Sequence, residues 1–220
     1  ALSRIADSPE RYRQAYLRIM EKIIMVTMPA VMLMIVTADW LVLIILGPQW
    51  SDTAKIFVFM ALSGLFQPVA GTGGWLLVSQ GRVKDMLRWS LINAPISVLS
   101  LVAGLPWGAV GVAASFSFGR ILIIFPLLYW FVGRSGPVRT GDFYRLLAPF
   151  TGASLCSLTA CIVFRKFVAV PNPVVGFLAC SIIVAITTPA FLALMPAGRK
   201  ALLDIKKSML LLLPHKAKVT

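Results

Sequence analysis

The chain has 220 residues, of which 59% are hydrophobic and only 13% are charged, and its mean hydropathy is +0.87. A soluble domain of this length cannot hide so much apolar surface from water. The composition therefore excludes a disordered chain and a disulfide scaffold, and it predicts an integral membrane protein. The net charge of +13 then needs an explanation other than nucleic-acid binding.

Helices of about 20 residues cross the roughly 30 Å hydrocarbon core of a bilayer. Six apolar stretches reach that length, at roughly 19–38, 56–79, 87–105, 109–132, 147–165 and 174–195. These stretches are continuous, whereas the strands of a membrane barrel alternate between apolar and polar residues. The sequence predicts an all-α, polytopic transmembrane helix bundle with about six membrane-spanning helices.

Basic residues flank these stretches unevenly. Seventeen of the 21 lysines and arginines lie before the first span, in the second-to-third and fourth-to-fifth loops, or after the last span. Three lie on the opposite side, and Arg120 lies within a span. The positive-inside rule therefore places both termini in the cytoplasm. The net charge marks topology, and no nucleic-acid partner is expected.

The two flanks of the bundle are amphipathic. Ser8-Pro9 suits a helix start, and the helix after it places Tyr12 and Tyr16 on one face and basic residues on another. Residues 199–213 repeat this arrangement. Both segments are expected either to lie against an anionic inner leaflet or to act as plain positive-inside anchors. We expect 1–195 to form the membrane domain and 196–220 to form a basic amphipathic cytoplasmic tail.

Neither the cysteines nor the acidic residues form a catalytic pattern. Cys156, Cys161 and Cys180 lie in apolar runs without CxxC spacing, which predicts buried free thiols. The one histidine, His215, lies in the basic tail, and paired carboxylates and phosphate-binding loops are missing. The sequence therefore predicts no enzyme, no metal site and no cofactor.

Arg120 lies near the middle of the fourth predicted span. A cation at that depth is expensive, so it should face the protein interior or a water-filled cavity and have a partner. A guanidinium matches phosphate oxygens as a fork, which favours a site for an anionic group such as a diphosphate. The alternative is a structural arginine bonded to carbonyls or to an acid elsewhere in the protein.

Polar and small residues also mark the second, third and fourth predicted spans. The third span carries a face of small polar residues around Pro95, namely Ser90, Asn93, Ser97 and Ser100. The second span carries Gln67-Pro68 and then a glycine cluster at 71–74, typical of the interrupted helices of transporters. Helix packing is an alternative for both, and it is the favoured interpretation for the small-residue ridge Gly111, Ser115 and Gly119. After the first span, Asp39 is expected to cap a short outer helix that ends at Gly47.

Several strings resemble the oligosaccharide flippase branch of the multidrug/oligosaccharidyl-lipid/polysaccharide exporter superfamily. They are LSR at 2–4, SPERYRQAYLR at 8–18, ILGPQW at 45–50, FQP at 66–68 and PWGAVGVA at 106–113. The resemblance covers most of residues 1–165. It implies two lobes of helices around a central cavity, of which this chain is roughly the C-terminal half, so we expect a further portion before Ala1.

The resemblance also implies a function. Family members move undecaprenyl-diphosphate-linked repeat units across the bacterial inner membrane for surface polysaccharide assembly, which implies a polysaccharide polymerase and chain-length machinery as further partners. On that basis Arg120, Gln67 and the polar face with Asn93 and Ser97 would line the cavity. A second group, Arg82, Lys84 and Arg88, would lie at the cytoplasmic mouth.

Three alternatives stay open beside the flippase. A multidrug exporter of the same superfamily should carry a carboxylate in the membrane, and the predicted spans have none near their centres. A non-transporting membrane subunit of a polysaccharide assembly complex is a second alternative. A membrane acyltransferase is the third, and it lacks its usual histidine or carboxylate.

Overall fold

The computed structural model describes residues 8–168, 170–195 and 198–199. Regular structure in these ranges is helical throughout, which confirms the all-α polytopic bundle. The helices are α1 (Pro9–Val36), α2 (Ala38–Ile45), α3 (Thr53–Gly64), α4 (Gln67–Ser79), α5 (Val83–Gly104), α6 (Gly108–Gly119), α7 (Phe125–Gly133), α8 (Thr140–Phe167) and α9 (Pro173–Leu194). A π-helical segment, Arg120–Ile124, joins α6 to α7. The predicted tail at 196–220 lies outside the described residues except for 198–199.

Four helical stretches of the described residues are long and apolar enough to cross a membrane: Pro9–Val36, Val83–Gly133, Thr140–Phe167 and Pro173–Leu194. Together α3 and α4 meet the same test as a bent pair with an angle of 43°. Their break at 65–66 directly precedes Gln67-Pro68, while the glycines at 71–74 stay helical. The interruption of the second span is therefore present, and it lies before the glycine cluster.

The stretch Val83–Gly133 has 51 residues, which as one straight helix would measure about 77 Å. It instead reverses direction at Gly108, whose φ is +67°, so α5 and α6–α7 form an antiparallel hairpin. The two arms coincide with the third and fourth predicted spans. That every one of the six expected spans crosses the bilayer remains a prediction.

Small residues let the arms of this hairpin approach closely, as the packing interpretation predicts. A β-carbon on Gly104 would lie only 2.5 Å from the carbonyl oxygen of Gly111. Ser115 donates from Oγ to the carbonyl oxygen of Ser100 at 2.7 Å, and a β-carbon on Gly119 would collide with Ser100. The ridge on α6 thus packs against α5.

Helix α1 begins at Pro9, as Ser8-Pro9 predicts, and continues without a break into the first span. Its face with Tyr12 and Tyr16 is buried inside the protein at 1% and 2% exposure. The tyrosine hydroxyls bond to Ser79 at 2.5 Å and to Thr72 at 2.8 Å, both on α4. A separate surface helix with this face on the leaflet is therefore wrong, because the tyrosines find polar partners on α4.

Helices α1 and α8 run parallel and are tied at both ends. Near their starts, Arg13 donates to both carboxylate oxygens of Asp142, from Nε at 2.8 Å and from Nη2 at 2.6 Å. Near their ends, Arg165 donates to the carbonyl of Val36 and to both carboxylate oxygens of Asp39, the latter at 2.8 and 2.5 Å. Each helix has 28 residues, so the two pairs lie at matching heights.

The short outer helix is present as α2, and Gly47 follows it with φ +90°. Asp39 does not cap this helix, because Thr37 occupies the N-cap position and the Asp39 side chain bonds to Arg165. The guanidinium of Arg165 lies 4.1 Å from the ring centroid of Trp40. These contacts join the outer ends of α1, α2 and α8.

The three cysteines are free thiols, as expected, but only two of them are buried. Cys161 and Cys180 pack between α8 and α9, with Cys161 Sγ 3.7 Å from the carbonyl oxygen of Cys180. Cys156 is exposed. Its predicted burial is wrong. The face of α8 that meets α9 carries Ser157 and Cys161, and Cys156, one residue before Ser157, points about 100° away from that face.

Candidate functional site

Arg120 and Gln67 come from two different predicted spans and lie in direct contact. Nη2 of Arg120 donates to Oε1 of Gln67 at 2.7 Å. The guanidinium carbon lies 5.4 Å from the ring centroids of both Phe116 and Phe125, which is within the cation–π range. Its Nε is buried and has no hydrogen-bond partner among the described residues. The cation is thus held by one amide and two rings.

Both members of this pair lie where a helix departs from regular geometry. Gln67 is the first residue of α4, directly after the 43° bend from α3. Arg120 is the first residue of the π-helical segment. A π-helical turn inside a helix is frequent at functional sites, and broken helices place backbone and side-chain groups around the sites of transporters. The sequence predicts the break at α4 but gives no signal for the π-helical turn.

An apolar cavity of about 350 Å³ lies next to the pair. Its lining is mostly aromatic and aliphatic: Phe66, Ile121, Phe125, Pro126, Tyr129, Tyr144, Leu147, Ala148 and Thr151. Phe125 connects the two features, because it lines the cavity and its ring also contacts the Arg120 guanidinium. Phe66, which precedes Gln67, packs against the ring of Phe125 with centroids 5.7 Å apart. The cavity volume is in the range of ligand pockets.

One polar atom of this cavity lacks a partner. The hydroxyl of Tyr129 is buried and makes no hydrogen bond within the described part of the chain. Buried hydroxyl groups are ordinarily bonded. The ring of Tyr129 is fixed by stacking on Phe143, with centroids 4.9 Å apart. A mostly apolar cavity with one free hydroxyl and a neighbouring guanidinium suits an amphipathic ligand.

The polar face of α5 forms hydrogen bonds mainly within its own helix, and one of its residues contacts α6. Ser97 donates to Oδ1 of Asn93 at a long 3.5 Å. The Ser100 hydroxyl donates to the carbonyl oxygen of Ile96 at 2.8 Å, and the Ser100 carbonyl oxygen accepts a hydrogen bond from Ser115. Neither Asn93 nor Ser97 bonds to Arg120 in the described structure. Of this face, Ser100 belongs to the hairpin contact, and the half-buried Asn93 and Ser97 are left as cavity candidates.

The three basic residues predicted at the cytoplasmic mouth lie around Asp85. Arg82 donates from Nε to Asp85 at 2.9 Å and from Nη1 to the carbonyl of Val132 at 3.3 Å, at the end of α7. Arg88 is 67% exposed and lies 3.5 Å from Asp85, and Lys84 is exposed. Arg82 therefore ties its loop to α7, where a cation is favourable, and Lys84 and Arg88 stay open to solvent.

The mouth group and the Arg120 pair are separate features. Val132, which Arg82 contacts, comes 12 residues after Arg120, so the two lie about 18 Å apart along the helix axis. The structure therefore brings Arg120 and Gln67 together and places Arg82, Lys84 and Arg88 at one end of the same helical arm. A single pocket that contains all of the predicted residues is not formed within the described part of the protein.

Sequence reasoning missed the ion pair between Arg13 and Asp142. The Asp142 side chain is only 7% exposed, and it also accepts the backbone N–H of Arg139 at 2.9 Å. Asp142 precedes the apolar part of α8, and the hydrogen bonds from Arg13 hold the pKa of its carboxyl below the ordinary value although burial opposes this. A pair separated by 129 residues leaves no local signal in one sequence.

Among the described residues, no group of three His, Cys, Asp or Glu could hold a metal ion.

The fold and these contacts define an all-helical, multi-pass membrane protein with a cation beside an apolar cavity. Comparison with known proteins then shows what the chain is similar to. The model of the family described as "Polysaccharide biosynthesis protein" matches residues 1–55. The lipopolysaccharide biosynthesis protein WzxC of Escherichia coli (strain K12) is 23% identical over 133 residues, which is 60% of this chain and 27% of that protein.

A second relative is an uncharacterized membrane protein in the cps region of Klebsiella pneumoniae. It is 26% identical over 117 residues, which is 53% of this chain and 24% of that protein. The chain thus spans about a quarter of the length of the curated relatives it matches. No solved structure gives a significant match. Together the matches confirm the resemblance to the bacterial polysaccharide flippase family that the sequence strings indicate.

Proposed function

We propose that this chain is part of a flippase that moves undecaprenyl-diphosphate-linked oligosaccharide repeat units across the bacterial inner membrane. The observation that carries the proposal is the Arg120 site: a guanidinium within a membrane-spanning arm, with no acidic partner in the described structure and an apolar cavity beside it. The relatives support the process, because the names of the family and of WzxC refer to polysaccharide biosynthesis.

The chemistry of Arg120 suits a diphosphate. Gln67 accepts a hydrogen bond from one N–H group of Arg120, and the buried Nε has no described partner. Donors of the guanidinium therefore remain for phosphate oxygens. A charge-assisted hydrogen bond is stronger away from water. The Phe116 and Phe125 rings stabilise the cation without neutralising its charge.

The proposal includes an orientation and partners. Both termini would lie in the cytoplasm, so that the exposed Lys84 and Arg88 would meet an anionic substrate at the cytoplasmic mouth before it reaches Arg120. The half-buried Asn93 and Ser97 would hydrogen-bond to its sugars. A polysaccharide polymerase and chain-length machinery would act on the translocated units. The protein itself would need no cofactor and would catalyse no covalent step.

Cells that depend on the full-length protein for surface polysaccharide provide the test. Arg120→Gln should abolish surface polysaccharide and cause lipid-linked repeat units to accumulate on the cytoplasmic side, and Arg120→Lys should retain part of the transport. The matched control is Arg134→Gln, which removes the same charge at an exposed position and should transport normally. Normal transport by Arg120→Gln, at wild-type protein levels, would contradict the proposed role.

The alternatives give different outcomes in the same cells. A multidrug exporter would leave polysaccharide unchanged and would raise susceptibility to cationic drugs when deleted. A non-transporting partner of the polymerase would leave single repeat units on the periplasmic side. Of the described acidic residues, Asp39, Asp85 and Asp142 lie near helix ends, and Glu21 lies at the beginning of the predicted first span. None of these four is near the centre of a predicted span, which does not favour the exporter.

A further inference from the structure

A second, polar groove lies on the outside of the bundle between the beginnings of α1 and α8. Its volume is about 600 Å³. Its lining combines three arginines with two acids, an amide and two leucines: Arg13, Gln14, Leu17, Arg18, Glu21, Asp142, Arg145 and Leu146. This groove is distinct from the Arg120 cavity, which shares none of these residues.

The groove carries three arginines against two acids, Asp142 and Glu21, so its lining has an excess of one positive charge. Arg13 and Asp142 bind each other through two hydrogen bonds. Arg18 and Arg145 are exposed, and neither has an ion pair or a side-chain hydrogen bond with a described residue. Two guanidinium groups, one from each helix, therefore line the same groove, and no described residue accepts a hydrogen bond from them. Such forks match phosphate oxygens better than an ammonium group does.

The depth of the groove indicates where its ligand comes from. The groove residues run from 13 to 21 on α1 and from 142 to 146 on α8, and the apolar spans begin at about 19 and 147. The groove therefore lies at the boundary between headgroups and acyl chains, on the side with the excess of basic residues. The half-buried Leu17 and Leu146 supply an apolar surface beside the arginines.

We propose that this groove binds the phosphate headgroup of an anionic phospholipid of the cytoplasmic leaflet, through Arg18 and Arg145, with the upper acyl chains against Leu17 and Leu146. A lipid held there would bridge the starts of the two helices. The bridge would lie beside the ion pair between Arg13 and Asp142 and reinforce it. This role does not depend on which substrate the protein transports.

The test uses the full-length protein in a neutral detergent. Native mass spectrometry measures binding of dioleoylphosphatidylglycerol, with dioleoylphosphatidylcholine, which is zwitterionic and has no net charge, as the comparison lipid. Loss of both guanidiniums in Arg18→Gln/Arg145→Gln should weaken phosphatidylglycerol binding by about 30-fold, as expected for two basic groups near the membrane surface. The control Arg11→Gln/Arg134→Gln removes the same charge from exposed positions outside the groove and should change the affinity by less than about threefold.

Several results would overturn the proposal. Equal weakening by both double variants would show a diffuse charge effect, and equal binding of phosphatidylcholine would remove the role of the anionic headgroup. Displacement of the lipid by millimolar inorganic phosphate would indicate a small-anion site. Displacement by a lipid-linked oligosaccharide diphosphate would assign the groove to the transported substrate. If the glutamine variant does not fold, Arg18→Lys/Arg145→Lys provides a second test. This variant keeps both positive charges and should retain intermediate affinity for phosphatidylglycerol, because it loses only the planar pair of guanidinium donors.

Discussion

Replacement of Gln67 separates the two roles that Arg120 can have. Gln67→Glu keeps the shape of the side chain and places a carboxylate oxygen 2.7 Å from Nη2 of Arg120. Gln67→Leu removes the acceptor and leaves the cation unneutralised. If Arg120 only stabilises the fold, the glutamate variant should work well and the leucine variant poorly. If Arg120 receives an anionic substrate, the order of activity is reversed.

The size of the effect follows from the contact. A hydrogen bond between charged groups contributes about 1.5–3 kcal/mol net, and two unit charges 4 Å apart interact by about 4 kcal/mol at an effective dielectric of 20. A substrate phosphate must replace that carboxylate at the guanidinium. We therefore expect Gln67→Glu to weaken substrate binding by about 10- to 100-fold while thermal stability stays equal or rises, because the same hydrogen bond becomes an ion pair.

The assay combines complementation of surface polysaccharide with thermal unfolding of the purified protein. Gln67→Glu should fold and fail to transport, whereas Gln67→Leu should keep most of the transport and lose a little stability. Both variants are compared at equal membrane levels. Wild-type transport by Gln67→Glu together with loss of transport in Gln67→Leu would refute the reasoning and would make Arg120 a structural residue.

Two further variants test the packing of the bundle. Gly104→Val should lower stability by about 1–3 kcal/mol, because its β-carbon would lie 2.5 Å from the Gly111 carbonyl oxygen; Gly71→Ala, with nothing within 4 Å, is the control, and unchanged thermal unfolding of Gly104→Val would exclude the tight hairpin. Asp142→Asn should cost about 2–3 kcal/mol, and the swap Arg13→Asp/Asp142→Arg should restore part of it. Because the pKa of Asp142 is lowered in the folded protein, this carboxylate stabilises the fold above about pH 4, and the stabilisation is lost as the pH falls through the pKa of Asp142 in the folded protein. Unfolding measured between about pH 3 and 7 should show that loss of stability in the wild type and not in Asp142→Asn.

The sequence was sufficient for the helices because the bilayer leaves few choices. A backbone without water must satisfy its own hydrogen bonds, so hydropathy alone locates α9 at Pro173–Leu194 against a predicted 174–195. The bend before Gln67 was predictable from the following proline. Arg120 and Gln67 were each identified as polar groups inside a span, and the structure adds that they touch.

Contacts between distant parts of the chain could not be predicted in the same way. Asp39 was expected to cap its own helix, yet it bonds to Arg165, 126 residues later, because a carboxylate gains more from two hydrogen bonds with a guanidinium than from a helix start. The polar face of α5 was left between packing and binding, and the structure assigns Ser100 to packing through Ser115. One sequence does not show which surfaces meet.

The ties at both ends of α1 and α8 have a mechanical consequence. The Arg13 pair and the Val36 contact are 23 residues apart along α1, about 35 Å. Sliding one helix past the other by a single turn, about 5.4 Å, would break both ties at once. The two helices are therefore held in register with each other, and the irregular points of the neighbouring helices are the bend between α3 and α4 and the π-helical turn that begins with Arg120. We expect changes of shape to concentrate at these irregular points.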